Sequence, residues 1–217
     1  MSSHLPQRSQ VVLEPRKRPV QARSAASVNA ILDATIQVLL KVGKERLTTT
    51  TVALRAGVSV GTLYQYFPNK SSVLRAALKR HLDEVTDAVE LVCKEQRGAK
   101  LEQMATALIT VFFEAKMRKA QTSVALYSVS SDVDGAKIVQ QIGIRTNKMI
   151  VEMLKSSSEP LTKDPELVGS ILQGAMAGVI RRLLESVAPE REFESVQQEL
   201  ILFACAYLEA CSAAPSI

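Results

Sequence analysis

Between Val58 and Lys70 the chain reads VSVGTLYQYFPNK. This run holds Tyr64, Tyr66 and Lys70, whose phenols and ammonium can donate hydrogen bonds to phosphate oxygens. The concentration is notable in a chain of 217 residues with four Tyr, five Phe and no Trp. Such donors fix register on a polyanion, whereas base edges are read by side chains such as Gln65, and Gly61 lets a backbone come close. At about 100° per residue, Val60, Leu63 and Phe67 share one side of a helix and Gly61, Thr62 and Gln65 the other, with Tyr64 and Tyr66 on opposite flanks. The first three are expected to form a buried stripe. The two phenols cannot both be core, and they are placed to clamp the phosphate walls of a DNA major groove. A generic surface or a protein interface would also accommodate paired tyrosines; their basic surroundings favour nucleic acid.

Those surroundings are uneven along the chain. Residues 1–80 carry 13 Lys and Arg against 3 Asp and Glu, while residues 81–217 carry 14 against 19. One end is therefore suited to a polyanion and the other to a different task. Enzymatic chemistry has little support. His4 and His81 are far apart in sequence, and no paired carboxylate or activated nucleophile emerges. Cys93, Cys205 and Cys211 have no CxxC spacing, which excludes a disulfide framework and a zinc site and leaves them as small buried hydrophobes. No cofactor or metal is expected. No apolar run is expected to reach the roughly 18–20 residues of a membrane span, and no signal-like apolar block is present, so we expect a cytoplasmic protein.

The elements that must position the tyrosines are all helical, since no segment sustains strand-like alternation. Residues 1–20, with Pro6, Pro15, Pro19 and the cluster Arg16, Lys17 and Arg18, form a flexible basic arm that can enter a minor groove or touch phosphates. Ile31, Ala34, Val38 and Val42 mark a first helix ending at Gly43. A short helix follows, capped by Thr48 or Thr49, with Val52, Ala53 and Ala56 inward and Gly57 at its end. Ser59 caps the helix of the opening motif, which Pro68 and Asn69 terminate. Two short helices joined by a turn beginning with Gly make a helix-turn-helix. A helix from Lys70 to about Glu95 comes next, then helices over about 100–119, 121–129, 134–155, 164–187 and 191–211, with a polar SSSEP loop at 156–160 and Pro189 as a separator.

The run LTTTTVALRAGVSVGTLYQYFPNKSSVL at 47–74 resembles the DNA-binding region of the tetracycline-repressor (TetR) family, and ILDATIQVLLKVG at 31–43 extends the likeness. The resemblance implies an all-α fold with a helix-turn-helix domain at 21–70 and an effector-binding and dimerisation domain at 71–217. It further implies that Thr49, Thr62, Tyr64, Tyr66 and Lys70 contact the DNA backbone, while Val60, Gly61 and Gln65 face base edges. Val60 is thus assigned both inward by periodicity and outward by resemblance. Family members often carry a charged residue after the paired Thr, where this chain has Thr50 and Thr51; without a Glu capping box, hydroxyls must hold the start of the second helix.

A regulator of this kind holds two recognition helices on a palindromic operator about 34 Å, or a multiple, apart. Phe193, Val196, Leu200, Phe203 and Tyr207 step by three and four residues and are expected to form a dimer seam with Gly174 and Gly178, although intramolecular packing could use the same surfaces. Met104, Leu108, Phe112, Met149 and Met153, with Tyr127 as a polar anchor, could line an effector cavity or simply fill the core. The expectation is a homodimeric transcriptional regulator, a repressor released from double-stranded DNA by a small molecule. The alternative is an adaptor or scaffold that retains the helix-turn-helix without binding DNA.

Overall fold

A computed structural model describes residues 22–212, all helical or irregular with no strand among them. The helices are α1 (Ala22–Arg46), α2 (Thr49–Ala56), α3 (Val60–Tyr66), α4 (Lys70–Glu95), α5 (Leu101–Met117), α6 (Ala120–Ser128), α7 (Gly135–Lys155), α8 (Pro165–Leu184) and α9 (Pro189–Ser212), with a 3-10 turn at Ser130–Val133 between α6 and α7. Arg16, Lys17 and Arg18 lie outside the described residues.

Contacts divide the chain into two compact units that do not follow sequence order. One comprises residues up to Leu78 together with Ala125–Gly135; the other comprises Lys79–Val124 and the chain from Ala136 onward. In the first unit α1 packs on α2 and α2 on α3, burying Ile31, Leu39, Leu47, Val52, Leu63 and Phe67. α1 is broken at Gly43, whose φ of 75° is left-handed, so the expected end becomes a break followed by one further turn to Arg46. Val42 and Ala56, expected to face inward, are only half-buried.

The second unit is built on α5, α8 and α9, each packed against the other two. Its core includes Met104, Leu108, Phe113, Leu172, Met176, Leu200 and Leu208. Polar loops fasten this bundle. The SSSEP loop is not merely solvated: Glu159 Oε2 accepts the Leu101 N–H at 3.1 Å, and Ser157 Oγ donates to the Ala99 carbonyl at 3.1 Å, satisfying backbone groups around the start of α5. Asp164 caps α8, accepting the Glu166 N–H at 3.1 Å. Pro189 opens α9 rather than separating it from α8, a position where the missing N–H has no intrahelical partner to lose.

Two helices, Ser24–Arg46 and Pro165–Leu184, reach membrane-spanning length and hydropathy, contrary to the sequence expectation. Their apolar residues serve as core: Ile31 and Leu39 in α1, and Leu172, Met176 and Ile180 in α8, are buried. Cys93 and Cys211 are buried and Cys205 is half-buried, all as free thiols. Burial pushes the Cys93 thiol up to about 12, so it remains an inert hydrophobe.

Candidate nucleic-acid interface

Seven residues cannot hold a helix by themselves, and α3 is fixed at both ends. Ser59 Oγ accepts the Thr62 N–H at 2.9 Å, and Phe67 N–H closes the last turn on the Leu63 carbonyl at 2.9 Å. Leu63 and Phe67 are 0% and 2% exposed. Val60, the third member of the expected stripe, is instead 37% exposed. It stands in the first turn, ahead of the packed part of the helix, so periodicity alone misplaces it. Gly61, Tyr64 and Gln65 are exposed as well, while Thr62 and Tyr66 are half-buried.

α2 is locked by its threonines. Thr48 Oγ1 accepts the Thr51 N–H at 3.1 Å, and Thr51 Oγ1 accepts the Thr48 N–H at 3.1 Å. This is a capping box closed by hydroxyls in place of a Glu, as the threonine run led us to expect. Gly57 ends α2 with a φ of 67°, a left-handed turn that a β-carbon would strain. Its N–H satisfies carbonyls of the last turn, and Val58 N–H returns to the Ala53 carbonyl at 3.1 Å.

These restraints bring two of the expected DNA contacts together. Thr49 Oγ1 and Tyr64 Oη lie 3.0 Å apart, joining the first turn of α2 to the outer edge of α3. One hydroxyl of such a pair must donate to the other, which leaves a second O–H free to donate outward. The pair stands at the start of α2, where the helix dipole places partial positive charge that favours an anion. Val60, Gly61 and Gln65 are exposed on the same short helix. Arg55 Nε donates to Gln37 Oε1 at 2.6 Å, bracing α2 on α1.

Lys70 is placed differently from the other expected contacts. Its Nζ donates to the Lys44 carbonyl at 2.6 Å. Lys44 pairs through its own ammonium with Asp132, whose hydrogen bond raises it above the ordinary lysine range, and Arg75 Nη1 donates to the Val133 carbonyl at 3.1 Å. Nothing in the hydrophobic pattern marks Lys44 or Asp132; the pairing depends on how the 125–135 segment folds back.

The remaining expected sites lie elsewhere. Met104, Leu108 and Met153 are fully packed core, and Phe112 and Met149 border it. Tyr127 is 37% exposed and belongs to the other unit. A cavity of about 120 Å³ reaches Met149 and Met153 but is otherwise lined by Glu90, Cys93, Lys94, Arg97 and Glu152. On α9 the expected seam straddles the edge of the core rather than forming one outer stripe. Leu200 is buried, Phe193 packs toward Phe113 with ring centroids 6.3 Å apart, Val196 and Tyr207 are half-buried, and Phe203 is 52% exposed. On α8, Gly174 and Gly178 are exposed with open space beyond their α-carbons. Between these helices runs an apolar groove of about 420 Å³ lined by Ala175, Val179, Val196, Leu200 and Phe203.

Residues 31–77 match the family model of bacterial regulatory proteins of the tetR family, and residues 100–208 match the tetracyclin repressor-like C-terminal domain. The HTH-type transcriptional repressor KstR of Mycolicibacterium smegmatis is 31% identical over 147 residues, covering 65% of this chain and 69% of that protein. The nucleoid occlusion factor SlmA of Klebsiella pneumoniae is 22% identical over 161 residues, 70% of this chain and 81% of its own. Among solved structures, a TetR-family regulator from Mesorhizobium loti superposes with a TM-score of 0.72 at 18% identity, covering 89% of this chain and all of that one. The helix-turn-helix, the all-α C-terminal unit and these matches converge: the chain is a member of the tetR family of DNA-binding transcriptional regulators and not an enzyme.

Proposed function

We propose that the chain is a cytoplasmic, homodimeric repressor that binds a palindromic operator in double-stranded DNA and leaves it when a small molecule binds the C-terminal unit. The observation that carries the reading is the outer face of α3. Gly61, Gln65 and Val60 are exposed there, beside hydroxyls of Thr49 and Tyr64 held 3.0 Å apart. In this assignment Thr49, Thr62, Tyr64, Tyr66 and Lys70 hold backbone phosphates, and Val60, Gly61 and Gln65 face base edges. The basic arm at Arg16, Lys17 and Arg18 adds sequence-independent attraction.

The dimer uses the α8–α9 face, where Phe203 projects from the groove edge and Gly174 and Gly178 permit close approach by a second copy. A standard interface buries about 1,600 Å². An effector that lowers operator affinity 150-fold must prefer the DNA-incompetent state by about 3 kcal/mol.

The test is duplex binding across salt concentrations, followed by selection of bound fragments from genomic DNA. Wild-type affinity should fall steeply with salt. Tyr64→Phe should weaken all duplexes alike, while Gln65→Ala should alter the preference among them. Failure to bind any duplex at low salt would leave the adaptor reading in its place. Sedimentation of Phe203→Arg should show monomers; a persistent dimer would reject this interface while leaving the DNA assignment intact.

A further inference from the structure

Between α7 and α8, within the second unit, lies a groove of about 440 Å³, inside the ~300–1,000 Å³ range of small-molecule sites. Its lining differs in kind from that of the apolar groove between α8 and α9. Gln140, Asn147, Ser170 and Gln173 bring neutral hydrogen-bonding side chains to it, and Ile144, 66% exposed, supplies its apolar surface.

Two features of this groove are not explained by the fold. Gly143 stands in the middle of α7, where glycine is the poorest helix former after proline, yet a β-carbon there would meet nothing within 4 Å. Packing does not ask for a glycine at this place, whereas an open groove wall does. Asn147, one turn further on, has its Oδ1 buried without a hydrogen-bond partner, close to Gly169, where α8 comes against α7. A buried acceptor left unsatisfied is destabilising. The amino end of the same amide is left to face the groove.

The remaining groups are set in advance. Gln173 Nε2 donates to the Gly143 carbonyl at 2.8 Å, which fixes its amide and leaves Oε1 as an acceptor. Glu166 is paired with Lys155 at 3.0 Å, whereas Lys148 is exposed and pairs with no carboxylate among the described residues. The uncompensated charge on the groove is thus one ammonium. One cation balances a monoanion, and the Glu166 carboxylate on the same groove opposes a dianion such as a phosphate monoester.

We infer that this groove binds a small hydroxylated carboxylate: Lys148 and the Asn147 amino group receive the carboxylate, Gln140, Ser170 and Gln173 the hydroxyls, and Ile144 the carbon chain. Resting on the repressor reading above, the inference names the chemical class of the effector and puts its site on the α7–α8 groove rather than among the methionines of the core.

The test uses the full-length protein and gluconate, titrated by calorimetry without DNA. Saturable binding with a Kd of about 1 mM or tighter is expected for a probe of this size. Hexanoate, which lacks the hydroxyls, and sorbitol, which lacks the charge, should bind at least ~tenfold more weakly. Lys148→Gln should weaken gluconate by about tenfold. Gly143→Leu, which fills the groove where a side chain has room, should abolish binding while Tm holds or rises. Should Gly143→Leu not fold, the exposed Lys148→Gln decides alone. No saturable binding by the wild type, equal binding of the three compounds, or gluconate binding that the variants leave intact overturns the inference. Duplex affinity is then measured with and without saturating gluconate at matched ionic strength. A fall that Lys148→Gln diminishes supports the effector role, whereas binding without that fall overturns the role and leaves the DNA reading standing. A protein that binds no duplex at all removes the repressor reading, and the calorimetry then judges the groove by itself.

Discussion

The recognition helix α3 and the closing helix α9 solve opposite problems. α3 has seven residues, of which Leu63 alone is fully buried within it; α9 has 24 and buries Leu200, Ala204, Leu208 and Cys211. In α3 the anchoring is concentrated at the Ser59 cap, Leu63, the adjoining Phe67 and the Tyr64–Thr49 bond, which leaves Val60, Gly61 and Gln65 exposed. In α9 the anchoring is distributed along contacts with α5 and α8. A short element held at few points can offer a face to DNA, but the loss of one point should release it. A long element packed along its length should yield less completely to any single change.

Leu63→Ala and Leu208→Ala break this comparison most directly. Both leucines are 0% exposed, so each truncation should cost about 2–5 kcal/mol. The consequences should differ in extent. Leu63→Ala is expected to abolish duplex binding at temperatures where circular dichroism still reports most of the helix content, because the opening is local. Leu208→Ala should lower the main thermal transition while leaving duplex binding below that transition close to wild type. If both variants lost helix content and DNA binding in parallel, the idea of separately anchored elements would fail.

The second unit carries a group that acid should act on. In the second unit His81 is 3% exposed and its Nε2 lies 2.8 Å from Ser123 Oγ. Burial lowers its pKa to about 4, helped by the Lys116, Lys119 and Arg80 charges and opposed by Glu84. In the unfolded chain a histidine titrates near 6.5. Between these values the unfolded state binds more protons, so stability is complete above about pH 6.5 and is lost as pH falls toward 4. The contribution is on the order of 3 kcal/mol, and it should appear as a sloping Tm over that interval. His81→Gln, which retains a hydrogen-bonding partner for Ser123 without the titration, should flatten the slope. An unchanged slope would mean that other groups govern the acid response.

What could be read from the chain follows the same division. The α3 cap at Ser59, the α2 cap at Thr48 or Thr49, the stop at Gly57 and the limits of α4 all depend on residues within a few positions of one another, and each was visible in sequence. Periodicity alone misplaced Val60 because a helical wheel assumes packing along the whole helix, and the first turn of α3 lies beyond the packed part. The α9 stripe kept two readings for a related reason. Five apolar residues at heptad-like spacing share one side, but whether Leu200 faces a second copy or the core depends on α5 and α8, far away in the chain. The bonds from Lys70 to Lys44 and from Glu159 to Leu101 leave no periodic trace. They join charged or polar residues to backbone groups whose need for a partner becomes apparent only when the helix ends are placed.

The smallest change in stability should accompany one of the sharpest changes in function. A β-carbon at Gly61 would meet only Ser59 Oγ, at 3.7 Å, an ordinary contact. Ala also has the higher helix propensity, by about 1 kcal/mol. Gly61→Ala should therefore leave Tm equal to wild type or slightly raised. Gly169 in α8 is the internal contrast, since a β-carbon there would come within 2.6 Å of Val151 Cγ2, and Gly169→Ala should lower Tm without acting on the DNA face. The fold thus accounts for the glycine at 169 but not for the one at 61. If the backbone of α3 comes against base edges, the added methyl of Gly61→Ala should cost about 1–3 kcal/mol of duplex affinity, roughly one to two orders of magnitude in Kd. Unaltered affinity in a protein of unaltered stability would place the groove-facing surface of α3 away from Gly61, and would shift the reading of bases toward Gln65 and the turn that follows it.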